Sequence, residues 1–304
     1  MTTPAAPDGE ARRALAAGLL CYSIWGFVPL YFQMMGRFGV GAGEILAQRT
    51  AWGILAALAL VLIARQWTQV TDTLRDVRTL FWLTVSSLLI AANWLVFIQA
   101  VNSGRVLEGS LGYYINPLFN MVAGAVIFRE RMNRIGVAAI ACAAVGVALQ
   151  ALALGHFPVI SLVLAITFAA YGVVRKRVNV DAQAGLLIEC LILGIPGAMF
   201  IVWLQMQGVG HLTSGAWSVP MMIGSGVVTV APLALFSWAA RRMPLSTMGF
   251  LQFIGPTLGF AIGLFQGEAF TPLRAASFAF IWGAAVIFAY GAWRAGRRLA
   301  VVVA

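Results

Sequence analysis

The chain has 304 residues, of which 61% are hydrophobic and only 10% charged, with a mean hydropathy of +0.90. That balance excludes an ordinary soluble domain and a disordered polar chain, and predicts a protein housed in a bilayer. A net charge of +10 would suggest nucleic acid in a soluble protein, but the placement of the basic residues gives them another task.

Roughly ten apolar stretches of about 20 residues, each long enough to cross ~30 Å of hydrocarbon, are separated by short connections. In chain order the predicted spans are Ala14–Met34, Gly43–Ala64, Leu80–Ala100, Leu107–Phe128, Ile135–Ala153, Phe157–Val174, Gln183–Gln205, Trp217–Ala240, Leu245–Gln266 and Pro272–Trp293. The first is too long for a signal-peptide core and lacks a small-x-small cleavage site, so it is expected to be retained. Between the second and third spans, Trp67, Val70, Leu74 and Val77 recur at helical spacing, predicting a short helix lying on the bilayer surface. Cys21, Cys142 and Cys190 all fall in apolar spans and imply neither a disulfide framework nor a metal site.

Basic residues alternate by connection. Arg12 and Arg13 precede the first span; Arg65, Arg75 and Arg78, then Arg129, Arg131 and Arg134, then Arg175, Lys176 and Arg177, then Arg241 and Arg242 occupy every second connection; Arg294, Arg297 and Arg298 follow the last span. The other connections hold only Arg37, Arg105 and Arg274, and Arg49 lies within the second span. The positive-inside bias then expects both termini in the cytoplasm, which requires an even number of spans.

An ungapped shift of 139 positions pairs Phe97 with Phe236, Ala100 with Ala239, Ile115 with Ile254, Pro117 with Pro256 and Gly124 with Gly263. The chain therefore reads as a duplication, residues 1–155 and 156–304, each half with five spans. Five is odd, so equivalent helices cross in opposite directions, the inverted repeat of many secondary transporters. The expected fold is all-α and integral to the membrane, with ten transmembrane helices as two inverted five-helix repeats.

Pro117 and Pro256 are the expected helix breaks, since a mid-helix proline frees the carbonyl four residues earlier and lipid offers that carbonyl no partner. Tyr113, Asn116 and Asn120 share a helical face with Pro117, and Gln252 stands at the matching place before Pro256. With Asn93 and Trp94 these residues form the candidate substrate lining, interhelical hydrogen bonding being the other role open to such side chains. Gly255, Gly259, Gly263 and Gly267 form a smooth ridge suited to close helix packing. Trp25 and Tyr171, each followed by glycine, are candidate aromatic gates, packing being the alternative. Arg49 and Glu189 occupy nearly equivalent positions within the second and seventh spans. A charge there needs a partner or a wet cavity, so Arg49 is expected to pair with Glu189 or with Glu44, either as a structural pair or in gating or proton coupling.

Several function classes are excluded. The only lysine is Lys176, so no phosphate-binding G-x-x-x-x-G-K-[ST] loop exists. His156 and His211 lie in outer connections and all four aspartates lie outside the spans, which leaves no H-E-x-x-H site, intramembrane Ser-His pair or aspartyl dyad. No catalytic residue, cofactor or metal is expected. The expected partners are a small-molecule substrate and the lipid bilayer, a homodimer being left open and nucleic acid excluded.

The runs NWLVFIQAVNSGRVLEGSLGYYINPL, YGVVRKRVNVDAQAGLLIE and LSTMGFLQFIGPTLGF resemble the RarD branch of the EamA family, within the drug/metabolite transporter superfamily. The resemblance extends from AGLLCYSIWGFVPLYF to the last span. It implies ten helices in two inverted repeats, cytoplasmic termini, a bacterial inner membrane, and export or exchange of small organic molecules. Members of this branch are commonly labelled chloramphenicol-sensitive or chloramphenicol-resistance permeases. The expected activity is secondary active transport by alternating access, against two alternatives: a non-transporting membrane scaffold or sensor subunit, or a passive channel.

Overall fold

The structure, a computed structural model, describes residues 8–127, 134–154, 157–240, 242 and 251–302. Glu130 and His156 lie outside the described residues, as do the side chains at positions 117 and 120. Within the described residues the chain is helical throughout, with no strand: α1 Asp8–Arg37, α2 Ala42–Ile63, α3 Trp67–Arg75, α4 Val77–Asn102, α5 Val106–Ile127, α6 Arg134–Leu154, α7 Val159–Arg177, α8 Ala182–Met206, α9 Ser218–Ala240, α10 Ile254–Phe265 and α11 Pro272–Val302. Among the described residues, seven helical segments are long and apolar enough to cross a membrane: Arg12–Arg37, Ala42–Ile63, Val77–Asn102, Arg134–Ala153, Ala182–Met206, Ser218–Phe236 and Pro272–Gly291. Val159–Arg175 and Ile254–Phe265 are shorter apolar helices. Leu55, Leu88, Leu152, Met199 and Val202 project outward from their helices. In water such a surface would drive association; in lipid it matches the solvent.

The expected helix between the second and third spans is α3. It buries Val70 against Leu83, Ala184, Leu187 and Ile188, and leaves Trp67 and Leu74 exposed. At the end of α2 Arg65 adopts the left-handed backbone (φ 54°), which lets the Arg65 and Gln66 N–H groups donate to the Leu62 and Val61 carbonyls and turns the chain into α3.

The chain divides into two compact units, each drawing on both halves of the sequence. One comprises Met1–Gly26, Gly104–Ala169 and Ala239–Ala304; the other comprises Phe27–Ser103 and Ala170–Trp238.

In the first unit α6 packs against α11 and α5 against α10. Gly146 brings the α6 backbone to within reach of α11: a Cβ there would stand 3.0 Å from the Ser277 carbonyl oxygen, and the Ser277 hydroxyl donates to the Gly146 carbonyl at 2.7 Å. Leu107, Leu111, Tyr114, Ile115, Ala165, Phe260, Phe278 and Ile281 form the apolar centre. In the second unit the closest pair is α2 with α8. A Cβ on Gly194 would stand 2.7 Å from the Thr50 carbonyl oxygen, and one on Gly197 would stand 3.1 Å from that of Ala47. Lipid provides no hydrophobic drive between helices, so close approach at small residues supplies the attraction instead.

The two proline positions behave differently. α5 remains helical through position 117, so the expected break does not interrupt it. The expected span Leu245–Gln266 is interrupted: Gln252 and Phe253 form a turn, and α10 starts afresh at Ile254. Pro256 thereby falls in the first turn of a helix, where a missing N–H costs nothing because that group has no intrahelical acceptor. The run from position 243 to 250 lies outside the described residues.

Candidate substrate and coupling sites

In the first unit the candidate lining centres on α5. Asn116 is fully buried, and among the described residues neither its amide nitrogen nor its amide oxygen has a hydrogen-bond partner. A buried amide is costly unless bonded, so this side chain is suited to a partner that the described residues do not supply. Gly112, one turn earlier, sets the approach of α7: a Cβ there would stand 3.0 Å from the Ser161 carbonyl oxygen. Tyr113 meets Phe168 of α7 edge-on, with centroids 6.2 Å apart. Its neighbour Tyr114, which sequence reasoning missed, bonds the Thr257 hydroxyl at 2.6 Å and stacks on Phe253. Gln252 is half-buried in the turn before α10. Trp25 packs edge-on against Tyr22 at 5.4 Å.

At one end of this unit Glu268 accepts from the Leu107 N–H through both carboxylate oxygens, at 3.0 and 3.2 Å, satisfying an orphan donor at the start of α5. Gly267, in the left-handed region at φ 82°, makes the turn that delivers this carboxylate. Burial pushes the Glu268 carboxyl above the usual carboxylate range, against the opposing pull of the Leu107 and Val106 N–H groups.

The second unit holds the intramembrane charges. Arg49 is buried; its Nε donates to the Thr229 hydroxyl at 3.0 Å, and its guanidinium carbon lies 4.0 Å from the Trp94 ring centroid and 5.1 Å from that of Phe32. Trp94 is thus placed as a cation–π platform, and Asn93 beside it is fully buried. Glu189 is buried as well. Its carboxylate accepts from the Ser86 hydroxyl at 2.6 Å and from the Tyr171 hydroxyl at 3.2 Å, and faces Arg175 Nε at 3.6 Å. Glu44 receives the His211 backbone N–H on one oxygen and the His211 Nδ1 on the other, both at 2.8 Å, and Phe38 stacks on Trp217 beside it with centroids 4.1 Å apart. Arg175 thus lies against Glu189, and the His211 ring against Glu44. Arg175 was hidden in a basic cluster that reads as topological signal, although it follows Tyr171 by four residues and so shares its helical face.

Apolar helices of spanning length, carrying buried polar clusters with lipid-compatible outer faces, define a multi-pass helical membrane protein. Residues 12–152 match the EamA-like transporter family. An uncharacterized transporter of Vibrio cholerae is 39% identical over 95% of this chain and 96% of its own length. Protein RarD of Escherichia coli K12 is 40% identical over 95% of this chain and 98% of its own. A solved crystal structure at 17% identity covers 92% of this chain and 98% of its own with a TM-score of 0.62, a likeness of fold alone. The chain belongs to the EamA-like transporter family, as a RarD-like permease of the drug/metabolite transporter superfamily.

Proposed function

We propose that the chain is a secondary active transporter of small organic molecules that works by alternating access. It would do so as two inverted five-helix repeats, residues 1–155 and 156–304, spanning a bacterial inner membrane ten times with both termini in the cytoplasm. The supporting observation is a mirror relation between the two intramembrane charges. Arg49 reaches α9 through Thr229 and α1 through Phe32, whereas Glu189 reaches α4 through Ser86 and α7 through Tyr171. Exchanging the first five predicted spans for the last five turns α2 into α8, α9 into α4 and α1 into α7, so one set of partners becomes the other. The close pairs α2 with α8, α5 with α10, and α6 with α11 are likewise predicted equivalents. Reciprocal contacts of this kind suit a two-fold relation between halves, and rocking about such an axis is how inverted-repeat transporters expose one site to each side in turn.

The substrate site is assigned to the first unit, at Asn116 with Tyr113, Asn120 and Gln252, Asn116 being its anchor because among the described residues its amide has no hydrogen-bond partner; Asn93 and Trp94 are a separate candidate lining within the second unit. A screen of metabolites and drugs for thermal stabilisation of the purified protein tests the assignment. A genuine ligand at about 100 times its Kd stabilises by about 2.7 kcal/mol, and Asn116→Ala should lose most of that gain. Ligands that stabilise the parent and Asn116→Ala equally would remove Asn116 from the site.

A further inference from the structure

We propose that Glu189 and Arg175 form a linked proton–anion site: uptake of a proton by the Glu189 carboxylate frees the Arg175 guanidinium to bind the carboxylate of an organic anion. The inference rests on the transport reading and names its coupling ion and substrate class. In its charged form the Glu189 carboxylate can only accept, and it is surrounded by donors: Ser86 Oγ from α4 and Tyr171 OH from α7, with Arg175 Nε of α7 at 3.6 Å. On its own helix the neighbour is Cys190, toward which Arg49 of α2 directs its charge, and α3 contributes Val70 to the same packing.

The protonated form is provided for as well. Ser86 Oγ also lies 2.9 Å from the Leu83 carbonyl oxygen. When Glu189 carries a proton, Ser86 can give its hydrogen to Leu83 and accept from the carboxyl, so both protonation states keep their hydrogen bonds. The proton comes from water on one side of the membrane and returns to water on the other, and no bond in the substrate changes.

What protonation does change is Arg175. Its guanidinium lies against the α8 backbone at Gly185, where an added Cβ would meet Nη1 and Nη2 and displace it. Among the described residues Nη1 is buried with no hydrogen-bond partner. The ion pair with Glu189 is long, and it engages one edge of a planar fork made for bidentate carboxylate binding. Neutralising Glu189 leaves this cation without its counter-charge in a buried setting, a state strongly favouring an incoming anion. Linkage is reciprocal, so anion binding must then draw a proton onto Glu189.

Calorimetric titration of the purified full-length chain with sodium benzoate, in two neutral buffers of different ionisation enthalpy, measures protons taken up per anion bound. Uptake approaching about one proton per benzoate is expected from full linkage. Glu189→Gln, which imitates the protonated carboxyl, should bind benzoate with no proton uptake, and the neutral isostere benzamide should cause none in the parent. The proposal is overturned if benzoate does not bind, if it binds the parent without proton uptake, or if uptake persists in Glu189→Gln. The measurement on the parent decides even if the variant fails to fold. Flux in proteoliposomes without this linkage would leave the transport reading standing, whereas linkage without flux would remove the transport reading and leave the site.

Discussion

The α2–α8 crossing positions both intramembrane charges, and a single methyl group tests it. In Gly194→Ala the new Cβ would stand 2.7 Å from the Thr50 carbonyl oxygen and 2.8 Å from Ile54 Cδ1. Optimal contact between such atoms is about 3.5 Å or more, so α2 must withdraw by roughly 0.8 Å. The Ile54 side chain can rotate away, but the Thr50 oxygen belongs to the helix backbone and cannot. Overpacking of this kind costs about 1–3 kcal/mol, against a gain of about 0.5–1 kcal/mol from replacing glycine in a helix interior. The net expectation is a destabilisation of about 1–2 kcal/mol. Gly53→Ala on the same face of the crossing is the control: its Cβ would meet Cys190 Sγ at 3.6 Å and Val230 Cγ2 at 3.8 Å, ordinary contacts, so only the gain of about 0.5–1 kcal/mol applies. Reversible unfolding of both variants in mixed micelles reads the difference, about 2 kcal/mol with Gly53→Ala the more stable. Equal stabilities would refute the close approach of α2 and α8 at Gly194.

Replacing Arg49 by lysine keeps the charge but loses the planar stack on Trp94 and Phe32 and the bond from Nε to Thr229. Desolvated cation–π contacts are worth up to about 2 kcal/mol, so Arg49→Lys should lower stability by about 1–2 kcal/mol, and unchanged thermal unfolding would contradict the assigned contacts. Glu268 predicts a pH effect of defined sign. Its raised carboxyl means that the folded chain holds this proton more tightly than the unfolded chain, so the stabilisation is complete below the ordinary value of about 4.3 and is lost as pH rises through the raised value. Glu268→Gln lacks this titration, and denaturation across that window should show the parent losing stability relative to the variant; a gap independent of pH would count against the burial of Glu268.

The sequence revealed some of this and concealed the rest for physical reasons. A lipid environment makes an apolar run of sufficient length informative by itself, and α1, α2, α4, α6, α8, α9 and α11 all hold segments of that kind. It also makes any charge inside a run conspicuous, as at Arg49 and Glu189. Their partners were less visible. Ser86 and Thr229 are hydroxyls of a type common in membrane helices, and a ring beneath a guanidinium has no sequence spacing of its own, so Phe32 was missed. Arg175 carried two messages in one residue: its place in a basic triplet signals topology, and its place one turn from Tyr171 brings it to Glu189. Proline at positions 117 and 256 signals a helix break, but its effect depends on where the helix begins. Only when α10 starts at Ile254 does Pro256 occupy a first-turn position, and nothing in GFLQFIGP marks that start unambiguously.

Transport by this chain alone is the central claim. The direct measurement reconstitutes the purified protein in proteoliposomes, loads them with a ligand identified by thermal stabilisation, and follows uptake of a radiolabelled trace of the same ligand from outside. A secondary transporter working by alternating access should concentrate the label transiently above its external level, and Asn116→Ala should reduce that overshoot. Simple equilibration of the label without overshoot would mark a channel, and the absence of any flux would mark a membrane protein that does not transport.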